Sequence, residues 1–200
     1  MLINIVVAIF GVLIFLFLFW KRLKEDYSAE IIFESATFIL VGIGVGWAAS
    51  GKFFPSWFFW ASLSGGIAGL LLAILRFKVK FYETLEAFTI SSLPWLSLIF
   101  LKDSVMKSSL SSFLAFLVIL VMLFVSYYFD THYKKFGWYR SGKIGFAGLA
   151  TAALMFLVRS AIAIVKVPVL SLVGRSEGII SGALAFICFL LLFNLGRIKE

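Results

Sequence analysis

Seven times in 200 residues the chain runs for 17–22 residues with almost no charge, and each run is bounded by a short polar link. The runs cover residues 2–20, 31–50, 54–75, 85–101, 110–129, 144–164 and 178–195. A helix needs about 20 apolar residues to cross a bilayer's hydrocarbon. In that medium each backbone N–H and C=O must find its partner within the segment. The pattern therefore predicts an all-α polytopic membrane protein with about seven transmembrane helices. Composition agrees: 62% of residues are hydrophobic and 14% charged, against about 45–50% and 25% in soluble domains. The spans use nearly the whole chain, so residues 1–200 read as a single transmembrane domain.

The first run could be taken for a secretory signal. It is too long for an apolar signal core, has no basic stretch before it, and runs straight into "WKRLKED" with no small-residue cleavage site. It reads as a retained span. When the links are assigned to alternate sides, twelve of the eighteen Lys and Arg residues fall on one side and five on the other, and Arg159 remains inside a span. Cytoplasmic links carry the excess of Lys and Arg, so the N-terminus is expected outside and the C-terminus in the cytoplasm. The net charge of +8 serves this topology and does not point to nucleic acid. The aromatic run "FFPSWFFW" (residues 53–60) reads as an outer interfacial belt, with Trp138 and Tyr139 in the same role inside.

Few residues carry chemistry. "GIGVG" (residues 42–46) lies inside a span with no strand before it, which excludes a dinucleotide loop. Gly42 and Gly46, like Gly65 and Gly69, are spaced for close helix packing. Cys188 lies in an apolar run and reads as a packed hydrophobe. His132, the one histidine, has no ligand partner nearby in sequence, so no metal site or cofactor is expected. Glu83 and Glu86 stand near the inner ends of their spans, within reach of inner lysines. Glu34 lies deeper and is the more suggestive intramembrane acid.

Arg159 is the residue that needs explaining. A central arginine costs about 2.5–3.5 kcal/mol on insertion scales. At 1.5 Å per residue it lies about 22 Å beyond the inner end of its span, in the outer leaflet and far from Glu34. Its partner is expected to be Asp103, just past the outer end of the fourth span, or a lipid phosphate gripped by two parallel hydrogen bonds. Snorkelling alone is the simpler account. In the sharper one, Trp57, Trp60 and Phe100 wall a small outward cavity around it. Neither a Ser–His–Asp grouping nor a Cys–His pair is visible.

Several stretches together resemble the bacterial prolipoprotein diacylglyceryl transferases. "WKRLKEDYSAEIIFESATFILVGIGVGWA" is similar to that family's first cytoplasmic link and second span, and "FFWASLSGGIAGLLLAILRFKVKFYETLEAFTISSLPWLSLIF" to its third and fourth spans. "GKIGFAGLATAALMFLVRS" resembles its sixth span, and "GRSEGIISGALAFICFLLL" its last. Gly65 and Gly66 keep the family's glycine pair, Glu86 stands where the family has Asp, and Arg159 falls on the sixth-span arginine. The resemblance implies a seven-span protein of the bacterial plasma (inner) membrane, N-terminus outside. Its partners would be an anionic phospholipid such as phosphatidylglycerol, and a prolipoprotein or other membrane protein. The family moves a diacylglyceryl group from phosphatidylglycerol to a prolipoprotein cysteine. Here the family's histidine is replaced by Trp60, an arginine by Phe100, an asparagine by Asp103 and a glutamate by Ile162, and the extracytoplasmic head is missing. Transfer is therefore expected to be weak or lost. The alternative is a non-catalytic protein of the same fold that binds lipid or a partner.

Overall fold

The computed structural model describes residues 2–136, 145–165 and 174–197. Among them are seven helices: α1 (Leu2–Leu23), α2 (Ala29–Phe53), α3 (Phe58–Phe77), α4 (Phe81–Lys107), α5 (Leu110–His132), α6 (Phe146–Val165) and α7 (Gly174–Arg197). Short 3-10 turns at Pro55–Trp57 and Tyr133–Lys135 complete the described elements. All seven helices are long and apolar enough to cross a membrane. The protein is thus an all-helical, multi-pass membrane protein. We call the end bearing the α1–α2 and α3–α4 links the basic end and the other the far end.

Each helix replaces one expected run, and α4 differs most. It extends past the apolar window 85–101 at both ends, to Phe81 and Lys107. Helical hydrogen bonds continue beyond the apolar stretch because its polar flanks also pair along the helix. Lys80 meets Glu83, and Lys107 meets Asp103. Asp103 is consequently inside a helix, not beyond one. α4 also runs through Pro94, as membrane helices can when nearby groups satisfy the freed backbone. Sharp corners close two hairpins. Lys78 (φ 55°) ends α3 and Ser108 (φ 49°) ends α4, both left-handed. The Ser109 hydroxyl then caps α5 by accepting the Ser112 N–H at 3.3 Å.

Glycines decide where helices touch most closely. A side chain at Gly42 would collide with the Gly65 carbonyl, and one at Gly46 with the Ala61 carbonyl. The two glycine pairs foreseen in the sequence therefore face each other across α2 and α3. Gly148 sets α6 against Glu86 of α4 in the same way. Elsewhere aromatic rings fill the space: Phe15 of α1 meets Phe88 and Trp95 of α4 edge-on, each at 6.5 Å. The predicted interfacial pair Trp138 and Tyr139 lies outside the described residues.

Candidate functional site: a caged ion pair beside an apolar cleft

Arg159 lies on the buried side of α6. Its partner is Glu177, in the first turn of α7. Arg159 Nε donates to Glu177 Oε1 at 2.9 Å, and its NH2 reaches the same oxygen at 2.7 Å. Trp60 Nε1 donates to Glu177 Oε2 at 2.8 Å, and the Ser181 hydroxyl to Oε1 at 3.0 Å. The Phe59 ring covers the guanidinium, with its centroid 3.7 Å from Cζ, and Trp60 stacks on Phe156. Ser160 Oγ donates to the Gly178 carbonyl at 2.9 Å and ties α6 to α7 beside the pair. Glu177 is fully buried. Side chains from α3, α6 and α7 thus all donate to this one carboxylate.

This overturns the expectation that Asp103 pairs with Arg159. Asp103 is taken by its own corner: Ser112 Oγ donates to Oδ2 at 2.6 Å, and Lys107 Nζ lies 2.7 Å from Oδ1. Asp103 lies one turn beyond Phe100 towards the far end and serves the α4–α5 turn. Glu177 is missed by the sequence because the last apolar run starts at Gly178, four residues after α7 itself begins. Extending that helix one turn upstream would have put a carboxylate at Arg159's depth.

The other expected wall residues divide. Trp60 joins the cage. Phe100 lines a cleft between α4, α5 and α6, together with Ala115, Ile119, Met155, Ile162 and Arg159 itself. The cleft holds about 40 Å³, more than a single water requires, and its walls are apolar apart from the arginine. Trp57 does not line this cleft: it sits in the 3-10 turn before α3 and is 36% exposed.

At the basic end, Glu86 is buried and contacts both the Arg22 guanidinium and the Gly145 N–H that opens α6. Arg22 NH2 also donates to Asp130 at 2.7 Å, so one arginine binds α1 to α4 and α5. Beside it, Tyr27 donates to Glu83 at 2.5 Å and accepts the Lys80 N–H at 3.0 Å, while Lys80 Nζ donates to Glu83 at 2.9 Å. Burial, then the bond to Glu83, raises the Tyr27 phenol above its usual pKa. The same carboxylate raises Lys80. Glu83 thus meets an inner lysine, as expected, while Glu86 meets an arginine of α1. Glu34 does not join them. It is exposed on the outer face of α2 and forms no ion pair among the described residues. No cluster of three potential metal ligands occurs among the described residues either.

Compared with known protein families, curated proteins and solved structures, the chain matches none.

Proposed function

We propose that this multi-pass protein is a relative of the prolipoprotein diacylglyceryl transferases, that it holds an anionic phospholipid beside Arg159, and that it carries little or none of the transfer reaction. One observation carries the reading. The four positions at which the resemblance predicts changed catalytic side chains are scattered along the sequence, yet three of them gather round one residue, while Asp103 serves the α4–α5 turn. Phe100 of α4 and Ile162 of α6 line the cleft with Arg159, and Trp60 of α3 hydrogen-bonds the carboxylate that holds it. Such convergence is what a shared ancestral site supports. The cleft's lining is apolar, as the edge of an acyl chain would need, and the guanidinium suits a phosphate. Transfer would require cationic charge aimed at the departing phosphate. Phenylalanine, tryptophan and isoleucine supply neither that charge nor a proton.

In this reading the protein sits in a bacterial plasma membrane with the basic end in the cytoplasm. Phosphatidylglycerol is the lipid, and a prolipoprotein or another membrane protein is the partner. The purified protein in phosphatidylglycerol bilayers should leave a lipobox peptide unmodified by mass, and robust diacylglyceryl addition would overturn the loss of activity. Ala115→Phe should fill the cleft and lower phosphatidylglycerol retention in native mass spectrometry. Retention equal to wild type would remove the cleft from the proposal. In a Cys188→Ala background, Ser104→Cys should react with an impermeant thiol reagent from outside intact cells and Ser28→Cys should not. The reverse pattern would invert the orientation.

A further inference from the structure

Arg159 belongs to two environments at once. On one side its Nε and NH2 meet Glu177, and on the other it forms part of the lining of the α4–α5–α6 cleft. Glu177 is held more firmly than charge balance alone would need. Trp60 reaches it from α3 and Ser181 from one turn further along α7. The carboxylate thus presents two oxygens to a ring of donors, much as a bound phosphate ester would.

We propose that Glu177 is an internal competitor for the anion site at Arg159, and that its carboxylate sets how strongly the cleft holds a phosphate ester. This rests on the lipid-binding reading above and adds regulation of that site. The reasoning is electrostatic. With Glu177 charged, the pair is neutral, so an arriving phosphodiester gains little net attraction and meets a like charge a few ångströms away. A neutral residue at position 177 leaves the guanidinium's charge for the ligand. A guanidinium carries five donors in a planar fork, which suits phosphate as well as carboxylate. An internal carboxylate that must be outcompeted gives a site that is closed at rest and opens to a strong anion. Two anions share the required chemistry: a phospholipid headgroup in the bilayer, and a soluble phosphate monoester or diester.

The test uses full-length protein in nanodiscs of mixed phosphatidylglycerol and phosphatidylcholine, with bound lipids counted by native mass spectrometry. Glu177→Gln should raise the ratio of retained phosphatidylglycerol to phosphatidylcholine by about fivefold or more, within the usual range for coupled sites. Arg159→Leu/Glu177→Gln should abolish the gain. Thermal shifts with soluble glycerol phosphate in detergent form the second arm. A gain confined to phosphatidylglycerol assigns the lipid, and a gain with both assigns the phosphate group. No gain in either arm from folded Glu177→Gln overturns the proposal. Should that variant fail to fold, Trp60→Phe and Ser181→Ala loosen the carboxylate while keeping its charge. Each should give a smaller gain of the same sign, and the absence of one in both refutes the competition. The cleft reading fails separately, through Ala115→Phe, so the two failures are distinguishable.

Discussion

Two arginine–carboxylate clusters hold this bundle together, one towards each end, and their surroundings differ. Near the far end Arg159 and Glu177 meet in a dry cage, with side chains 9% and 0% exposed. At the basic end Arg22 is 24% exposed and divides itself between Glu86, at 2%, and Asp130, at 20%. Coulomb attraction is the same law in both places, but greater solvent exposure weakens it more at the basic end than in the cage. Loss of one member of the caged pair takes the opposite charge away from a buried one, whereas Arg22 keeps a second carboxylate if one is removed. Similar chemistry is therefore brittle in one region and tolerant in the other.

The largest effect should come from splitting the cage. Arg159→Leu or Glu177→Ala alone should lower stability by about 3–5 kcal/mol, because a buried charge is left uncompensated. Arg159→Leu/Glu177→Leu should recover most of that loss, read as thermal unfolding in detergent. If the two single losses simply add in the double variant, the cage is not a coupled pair and the contrast collapses.

Glu86→Gln comes next, at about 1–3 kcal/mol, since a buried acceptor for Gly145 and Arg22 is weakened while Asp130 still holds the arginine. A loss as large as that from Glu177→Ala would make the two ends equivalent. Asp130→Asn should cost under about 1 kcal/mol, and the cost should shrink in high salt, as exposed pairs behave. A salt-independent loss would mean that this carboxylate is as dry as Glu177.

The smallest effect concerns pH. Tyr27 and Lys80 both have pKa values raised above their usual 10.0 and 10.5. The folded state therefore binds these protons more tightly than the unfolded chain does. Their contribution is full below about pH 10 and is lost as pH climbs through the raised values. Melting temperature should fall more between pH 9 and pH 11 for wild type than for Tyr27→Phe. Equal falls would show that the Tyr27–Glu83–Lys80 cluster does not sense proton release.

Much of the architecture could be read from the residues in order. The number of spans followed from run length, and the use of Gly42, Gly46, Gly65 and Gly69 in close helix packing from their spacing; that α2 and α3 pack on each other through them did not. Glu83 and Glu86 read as pairing with an inner lysine or reaching water; Lys80 meets Glu83, but Glu86 meets Arg22 of α1. The site was legible only in part. Arg159, Trp60 and Phe100 were singled out and do lie together, but Asp103 was given Arg159's partnership, Trp57 was placed in its wall, and Glu177 was passed over. Each of these three depends on where a helix begins or ends: Asp103 lies within α4 and not just beyond it, Glu177 lies in the first turn of α7, and Trp57 lies in the 3-10 turn before α3 while Trp60 lies within α3.

The sequence by itself determined that the chain crosses a membrane about seven times, because burial in hydrocarbon is a property of each segment taken alone and adds up along the chain. It also determined that a cation is committed to the sixth span. Only the tertiary structure decided which anion meets that cation. Pairing depends on the rotation of each helix and on its depth to within one turn, about 5.4 Å. A polar residue at a span's edge changes partners over that distance. Glu177 lies on the right side of that turn and Asp103 on the wrong one, so packing of α3, α6 and α7 around Arg159 made the choice.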